Sequence, residues 1–374
     1  MSTEYPFARK IKNPCLSLKT LCVLAFSLLL VSHMAWAEEA LRAVRVAAVA
    51  YPQGKGAVLS GEAALIERDP VLKADLQKLG VELQWTLVPT QGVAATINEA
   101  FANGSIDFAS YGDLPSVILN AGGVDTVIVG PGGNGLNVYL IVPLHSTVKS
   151  IRDLKGKRIA LHRGRPWELS FARLLAANGL KLSDFKIKNL NPQSGAAALA
   201  SGDVDALVTL SDIFTLVDKG IGRILWSTKE PGQNWKIRTE LWGRKSFVNS
   251  HPGVTQALVN AHVRAAHWIS REENFEEFLT LAARSGQSET FVRKEYETDI
   301  VPWRARFNPL YDGVLEHYRN VVAYSKSSGL IRREFDADRL LEPRFIEHAL
   351  RELNLQEYWR NGNGKARTPA QARK

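Results

Sequence analysis

The chain has 374 residues, of which 23% are charged, and a formal net charge of +9. This length predicts two domains at roughly 100 to 200 residues each. The basic residues are interleaved with acidic ones and are not concentrated on one element among aromatic residues, which argues against a nucleic-acid-binding protein. A modest positive charge favours small anions as ligands.

Residues 1–37 have the pattern of an export signal. Four basic residues precede the apolar run Leu21–Val31, and Ala35-Trp36-Ala37 supplies a small-X-small cleavage motif. The apolar run is too short to span a bilayer, although retention as an uncleaved anchor is the alternative. We therefore predict cleavage after Ala37 and a periplasmic protein.

Both cysteines of the chain, Cys15 and Cys22, lie in this leader. The mature chain therefore has no thiol, disulfide or cysteine-based metal site, and we predict neither a cofactor nor a metal ion. Loss of four basic residues and one acidic residue with the leader lowers the net charge from +9 to +6. We predict a monomer whose basic tail, residues 360–374, is disordered.

The first half of the mature chain alternates strands with helices. Apolar runs bounded by turn residues predict strands, and amphipathic runs predict helices. The glycine-rich loop Gly130–Gly135 has the composition of a phosphate loop but leads to a strand, so it predicts a flexible connection. The predicted elements are strand Val44–Val49, helical residues Gly61–Leu79, strand Val81–Val88, helix Gly92–Ala102, a helix ending at Asn120, and strands Val124–Val129 and Val138–Val142.

A second alternating region follows, and the chain then becomes almost wholly helical. The second region contains strands Arg158–Leu161, Phe185–Leu190, Ala206–Leu210 and Arg223–Ser227, and helices Trp167–Asn178, Ala196–Ser201 and Phe214–Lys219. The helical region contains Val254–Ser270, Asn274–Ala283, Glu289–Thr298, Leu310–Ser325 and Phe335–Leu341. Such alternation predicts an α/β protein with mostly parallel sheets between helices.

We predict two lobes, with the helical C-terminal block packed on lobe 1. Lobe 1 comprises residues 38–142 and 243–359, and lobe 2 comprises residues 143–242. The chain would then cross between lobes near Ile141–Pro143 and near Trp235–Trp242. Ligands of open α/β sheets bind beyond the carboxyl ends of the strands, so the cleft between the lobes is the predicted binding site.

On lobe 1, the segment Tyr111-Gly112-Asp113-Leu114-Pro115 joins a short strand to a helix. The glycine allows close approach of a ligand, and Asp113 is predicted to cap the helix while Gly112 and Leu114 present backbone groups. An ordinary capped turn is the alternative. Tyr51 and Gln53 lie in the segment at the end of the first predicted strand and offer an aromatic face and an amide to the same cleft.

On lobe 2, His162-Arg163-Gly164-Arg165-Pro166-Trp167 follows a predicted strand and opens a helix. Two arginines, a glycine and a helix started by proline predict an electropositive nest for an oxyanion, with structural ion pairs as the alternative for each arginine. Ser211 and Asp212 follow another strand, although Asp212 could instead cap the next helix. These lobe 2 residues complete the predicted ligand site.

Sequence signatures of catalysis are missing from this framework. The chain has no Gly-X-Ser-X-Gly elbow, Walker loop or His-Glu-X-X-His motif. His262 and His267 are five residues apart, so a helix would turn them away from a common face. We therefore predict a binding protein without catalytic residues.

An ordered set of motifs resembles a known family. In chain order, these are Gln53-Gly54-Lys55-Gly56, Gly104-Ser105-Ile106-Asp107, Gly112-Asp113-Leu114-Pro115, Asp153-Leu154-Lys155-Gly156-Lys157, Gly202-Asp203-Val204-Asp205-Ala206 and Pro309-Leu310. The set, from about Val44 to Leu350, is similar to the aliphatic sulfonate, taurine and nitrate group of periplasmic substrate-binding proteins of ATP-binding-cassette (ABC) importers. The resemblance implies a two-lobed Venus-flytrap fold of type II.

The resemblance also implies capture of a small organic anion and its delivery to a membrane permease. This chain departs from the family pattern at Gly164-Arg165-Pro166-Trp167, where a Gly-Ser-Ser-rich turn is frequent, and at Ser211-Asp212, where a Trp-Asp-Pro-Tyr-like segment is frequent. Bulkier, more basic residues there suit an aryl sulfonate or a sulfate ester, with Trp167 stacking on its apolar tail, and the alternative is that they only narrow the pocket. Nitrate, bicarbonate or a pyrimidine, a sensor or adaptor role, and a pyrimidine-processing enzyme of thiamine synthesis are the alternatives.

Overall fold

The described part of the chain forms two β-sheets with helices packed against them. The computed structural model describes residues 41–133, 135–230, 235–297, 299 and 301–360. The predicted signal, its cleavage site and residues 361–374 of the basic tail lie outside these ranges. The strands are β1 (Ala43–Gln53), β2 (Gly56–Leu59), β3 (Glu82–Pro89), β4 (Phe108–Gly112), β5 (Thr126–Gly130), β6 (Tyr139–Pro143), β7 (Arg158–Ala160), β8 (Lys186–Lys188), β9 (Ala206–Thr209), β10 (Gly222–Ser227) and β11 (Thr239–Arg244).

Helices pack against both sheets and confirm the predicted α/β class. None of the helices in the described part of the chain has the length and apolar character needed to cross a membrane. The α-helices are α1 (Gly61–Arg68), α2 (Pro70–Lys78), α3 (Val93–Ala102), α4 (Asp113–Ala121), α5 (Pro166–Ala177), α6 (Pro192–Ser201), α7 (Ile213–Asp218), α8 (Lys245–Ser250), α9 (Pro252–Ser270), α10 (Phe275–Ala283), α11 (Glu289–Tyr296), α12 (Trp303–Arg306), α13 (Val314–Ser327) and α14 (Arg344–Glu352).

The first sheet, in lobe 1, has the order β2-β1-β4-β11-β5, and β3 also pairs with β1. Strand β1 is parallel to β3 and β4, whereas β11 is antiparallel to β4 and β5. The second sheet, in lobe 2, has the order β10-β6-β9-β7-β8, and β6 is antiparallel to both of its neighbours. The prediction of mostly parallel sheets is wrong, because the strand that directly follows each crossing, β6 or β11, is antiparallel to both of its neighbours and makes its sheet mixed.

This strand pairing moves the lobe boundaries. Strand β6 (Tyr139–Pro143) lies in the second sheet, and β11 (Thr239–Arg244) lies in the first. The predicted boundaries at 142/143 and 242/243 therefore fall inside strands, and the crossings lie before residue 139 and before residue 239. Apolar content alone does not distinguish the last strand of one sheet from the first strand of the next.

The predicted flexible loop Gly130–Gly135 enters the first crossing. Here Leu136 and Ile237 form an isolated antiparallel bridge, so the two crossing segments run side by side. A Cβ atom at Gly132 would overlap the carbonyl of Thr239, and one at Gly135 would overlap the carbonyl of Ile237. Only glycine fits at these two positions, because the two backbones approach each other closely. This close approach explains why the segment has the composition of a phosphate loop without being a phosphate site.

Buried charges hold the crossing segments against the C-terminal helices. The Asp299 carboxylate pairs with Lys236 at 2.8 Å and with Arg306 at 2.5 Å. The Glu295 carboxylate accepts hydrogen bonds from the Asn137 amide N–H at 2.8 Å and from the Tyr139 hydroxyl at 2.6 Å. Burial lowers the pKa of Lys236 to about 8. Removing one member of such a network leaves an uncompensated buried charge, so the network favours one arrangement of the crossing.

Two of the family-like motifs have matching structural roles in the two lobes. The Asp107 carboxylate, from Gly104-Ser105-Ile106-Asp107, accepts from the Arg45 backbone N–H at 3.0 Å and from its guanidinium at 2.8 Å. In lobe 2, Asp205 accepts from the Arg158 N–H at 2.8 Å and from its guanidinium at 2.9 Å. Each carboxylate thus ties a neighbouring strand to the start of its own strand.

The C-terminal block differs from the prediction in two places. Helix α11 packs on lobe 2, where the Phe291 and Phe214 ring centroids lie 6.5 Å apart and Lys294 pairs with Asp218 at 2.8 Å. The predicted helix Phe335–Leu341 is wrong, because only a short 3-10 helix, Ala337–Leu340, forms there and the longer helix α14 follows it. Helices α9, α13 and α14 pack on lobe 1, as predicted.

Candidate functional site

The two lobes meet directly at the carboxyl end of β4. Gly112 ends that strand, and a Cβ atom added to it would lie 2.7 Å from Cγ of Pro166, the first residue of α5 in lobe 2. Real Cβ atoms do not approach carbon this closely, so Gly112 and Pro166 leave no space between the lobes for a side chain at position 112. The β4–α4 turn and the start of α5, which the sequence predicts as the two sides of the site, therefore face each other.

Asp113 is engaged within the protein, and the prediction that it caps its helix is wrong. Helix α4 begins at Asp113 itself, and Gly112 occupies the cap position. The Asp113 carboxylate is 1% exposed, accepts from the Leu114 backbone N–H at 2.6 Å and lies 2.8 Å from Nε2 of His317. The Leu114 N–H is thus already used, so the prediction that it is presented to a ligand is wrong as well.

Tyr51 and Gln53 lie on a hairpin instead of a strand-end loop. Strand β1 continues to Gln53 and pairs with β2, which places Tyr51 opposite Val58 and Gln53 opposite Gly56. Gln53 is exposed, whereas Tyr51 is half-buried and hydrogen-bonds to Ser60. Burial raises the pKa of Tyr51, so its hydroxyl keeps its proton at neutral pH.

Within the predicted lobe 2 nest, a carboxylate of the protein occupies two of the donors. Glu168, which is 0% exposed, accepts from Nε of Arg163 at 2.7 Å and from the Gly164 N–H at 2.5 Å. The backbone N–H of Arg163 donates to Asn189 at 3.0 Å. Arg163 therefore forms the structural ion pair that was the alternative for it in the sequence analysis. Its partner Glu168 was missed by the sequence analysis.

Arg165 has a different environment. Its Nε is buried and has no hydrogen-bond partner among the described residues, and its Cζ lies 5.3 Å from the centroid of the Trp167 ring. Across the lobe boundary it lies near the side chain of Tyr111 of β4. Burial and the Arg165 charge lower the pKa of His162, so this imidazole is neutral at neutral pH. Arg165 is consequently the arginine of the loop that has a buried donor without a partner among the described residues.

Trp167 forms part of the lobe 2 core. Its side chain is 5% exposed and packs with the apolar cluster that contains Phe171 and Leu174. Its indole Nε1 is buried and unpartnered among the described residues. The predicted stacking of Trp167 on a ligand tail would therefore require Arg165, which lies over the ring, to move.

Comparisons with known proteins decide the family. Residues 72–241 match a family model described as "ABC transporter, phosphonate, periplasmic substrate-binding protein". The crystal structure of a "putative sulfonate ABC transporter, periplasmic sulfonate-binding protein SsuA" from Methylobacillus flagellatus KT is 46% identical, with a TM-score of 0.79, over 86% of this chain and 97% of that one. The chain belongs to the periplasmic substrate-binding proteins of ABC importers. The predicted family and the two-lobed fold are thereby confirmed.

Curated relatives of this periplasmic binding protein align over shorter regions. The "Putative aliphatic sulfonates-binding protein" of Escherichia coli (strain K12) is 37% identical over 29% of this chain and 34% of its own length. The "Taurine-binding periplasmic protein" of the same strain is 26% identical over 50% of this chain and 61% of its own length. The aligned region thus covers about a third of the length of the first relative and about three fifths of the length of the second.

Arg238 is a further residue of the periplasmic binding protein that sequence reasoning missed. It lies on the second crossing, where its carbonyl accepts from the Asp113 N–H at 3.2 Å and its Nε donates to Glu240 at 2.6 Å. Its Nη2 is buried without a hydrogen-bond partner among the described residues. The sequence did contain one indication of this residue, since Arg238 is a cation inside the predicted crossing Trp235–Trp242 and a buried charge there requires a partner.

Ser211 and Asp212 follow β9 on lobe 2. The Ser211 hydroxyl lies 3.3 Å from the Gln287 side-chain oxygen. Asp212 does not cap α7, because its Oδ1 accepts from the Thr209 hydroxyl at 2.9 Å and from the Leu210 N–H at 3.2 Å, both of which precede it. Burial raises the pKa of Asp212 to about 6 from its ordinary 3.8.

This raised pKa predicts a pH dependence of stability. Between the unfolded and folded pKa values the folded state binds the proton more strongly, so the free energy of unfolding falls as the pH rises from about 4 to about 6 and then levels off. Because Asp212 is partly exposed, we expect a change of about 1–2 kcal/mol. Chemical denaturation of the wild type and Asp212→Asn at several pH values measures it, and parallel curves for the two proteins would contradict the assignment.

Proposed function

We propose that this protein is a receptor that captures a small organic oxyanion, a sulfonate or a sulfate ester, between its lobes and delivers it to the membrane permease of an ABC importer. The observation that carries the proposal is the Arg165 guanidinium, whose buried Nε has no hydrogen-bond partner in the described part of the chain and lies beside the lobe boundary. The similarity to proteins named as sulfonate- and taurine-binding supports the ligand class.

The charges around Arg165 fit a monoanion. Arg163 neutralises Glu168, and burial keeps His162 uncharged at neutral pH, which leaves one net positive charge on this loop. A guanidinium presents parallel N–H groups that match two oxygens of a sulfonate or sulfate group. A ligand with one negative charge would be neutralised there without a second cation.

We propose that the other predicted residues form or shape the walls of this site. Since Asp113, Leu114 and Gly164 have their polar groups engaged within the protein, we assign them a shaping role. We further propose export to the periplasm with cleavage after Ala37, and a monomeric mature chain without catalytic activity. The proposed wall residues are Tyr51, Gln53, Gly112, His162, Arg163, Trp167, Ser211 and Asp212.

A thermal-shift screen of residues 38–374 tests the ligand class. Alkyl and aryl sulfonates, sulfate esters and taurine are compared with nitrate, bicarbonate and pyrimidines. A ligand that binds only the folded state adds about 2.7 kcal/mol to the free energy of unfolding when its free concentration is about 100 times its Kd. The melting temperature then rises by several degrees. A shift confined to nitrate, bicarbonate or pyrimidines, or with no compound, would contradict the proposal.

A further inference from the structure

A buried carboxylate of lobe 2 receives a hydrogen bond from lobe 1. Glu168 lies in the first turn of α5, is 0% exposed and is paired with Arg163 and Gly164 of its own loop. Its third partner is Tyr324 of helix α13, whose hydroxyl donates to Oε1 at 2.8 Å. Burial and the neighbouring Glu168 raise the pKa of Tyr324, so the hydroxyl keeps the proton that it donates.

The helix that carries Glu168 turns one face toward lobe 1. Pro166 contacts Gly112, Leu169 packs in the lobe 1 core cluster, and Arg173 interacts electrostatically with Asp113. Residues 166, 169 and 173 are spaced by three and four positions, which places them on one side of a helix. Glu168 lies off this face, so its bond with Tyr324 is a further contact between the lobes.

We propose that Tyr324 and Glu168 form a latch that holds the lobes closed, so that Tyr324 sets the residence time of a ligand that it does not touch. The proposal rests on the proposed function of the cleft. When the lobes separate, the hydroxyl leaves the carboxylate and water replaces it, whereas Arg163 and Gly164 move with Glu168 because they lie on the same lobe. The bond between Tyr324 and Glu168 thus favours the closed form alone.

Tyr324→Phe removes this hydroxyl and little else. Hydrogen bonds to charged groups are worth enough that we expect the bound sulfonate to dissociate about 10- to 100-fold faster. The association rate constant should change less than threefold, because the open form does not contain the bond. Stopped-flow measurement with the best sulfonate from the screen gives both rate constants.

Tyr311→Phe is the matched control. The Tyr311 hydroxyl donates to the Ile128 carbonyl at 2.5 Å, and both residues belong to lobe 1. This variant should lower the melting temperature without changing the dissociation rate constant. Equal dissociation rate constants for wild type and Tyr324→Phe, or equal acceleration in the two tyrosine variants, would overturn the latch.

A second measurement is independent of the ligand. Because both cysteines precede residue 38, Lys73→Cys on lobe 1 and Lys186→Cys on lobe 2 place two dyes on exposed positions of an otherwise cysteine-free chain. Tyr324→Phe should move the ligand-free energy-transfer distribution toward lower efficiency, and an unchanged distribution would overturn the latch. A shifted distribution in a protein that binds no sulfonate would refute the proposed function and retain the latch.

Discussion

Arg165→Ala is expected to weaken sulfonate binding by roughly 30- to 1,000-fold while leaving the free energy of unfolding nearly unchanged. Arg165 has a buried Nε without a hydrogen-bond partner among the described residues, so removing it costs the folded protein mainly its contact with the Trp167 ring. A bound anion would lose its charge-assisted hydrogen bonds, which are worth about 2–4 kcal/mol. Isothermal titration calorimetry and chemical denaturation measure the two quantities.

Two variants separate the anion anchor from a general effect of charge. Arg165→Lys keeps the charge but loses the planar fork, so we expect an affinity between those of wild type and Arg165→Ala. Arg163→Ala removes the partner of the buried Glu168 carboxylate, so its larger effect should be on stability. Wild-type affinity in Arg165→Ala, or loss of affinity only in Arg163→Ala, would contradict the assignment.

Gly112→Ala is expected to weaken ligand binding by roughly tenfold to a hundredfold by keeping the lobes apart. The backbone of Gly112, at φ −75° and ψ 157°, accepts alanine without strain. The added Cβ would lie 2.7 Å from Pro166 of the other lobe, and overlap of this kind costs about 1–3 kcal/mol. Because opening the cleft relieves the overlap, the penalty should fall on the closed form. Calorimetry gives the affinity, and small-angle scattering should show an expanded form at saturating ligand.

Gly253→Ala provides the control for this substitution. Gly253 lies in the first turn of α9, where the nearest atom to an added Cβ is in Leu79 at 3.9 Å, an ordinary contact. Its affinity and scattering profile should match those of the wild type. A Gly112→Ala protein with wild-type affinity and full compaction would show that closure does not bring Gly112 against Pro166.

Local patterns in the sequence were sufficient to predict the alternation of strands and helices and the two positions where the lobes face each other. Gly112 and Pro166 mark those positions, since a glycine at a strand end and a proline at a helix start are local signals. The strand extending to Gln53 was missed, because a turn at Gly54-Lys55 can close a hairpin or a ligand loop.

The partners of the site residues were not predictable in the same way. Glu168 lies three residues after Arg165, in the first turn of a helix, where acidic residues are commonly favoured. The sequence gives no indication that it also contacts Tyr324, which lies more than 150 residues later. Asp113 likewise reaches His317. Such pairs depend on the packing of α13 against α4 and α5, and a single sequence carries no direct signal of which distant residue arrives beside a given carboxylate.

A crystal structure of residues 38–374 with the best ligand from the screen shows whether Arg165 anchors the anion between the lobes. We expect a sulfonate or sulfate group between the lobes, with its oxygens about 2.7–3.0 Å from the Arg165 guanidinium nitrogens. Glu168 should remain paired with Arg163 and Tyr324. A ligand bound outside the cleft, or a ligand anchored by Arg163 with Arg165 turned to solvent, would contradict it.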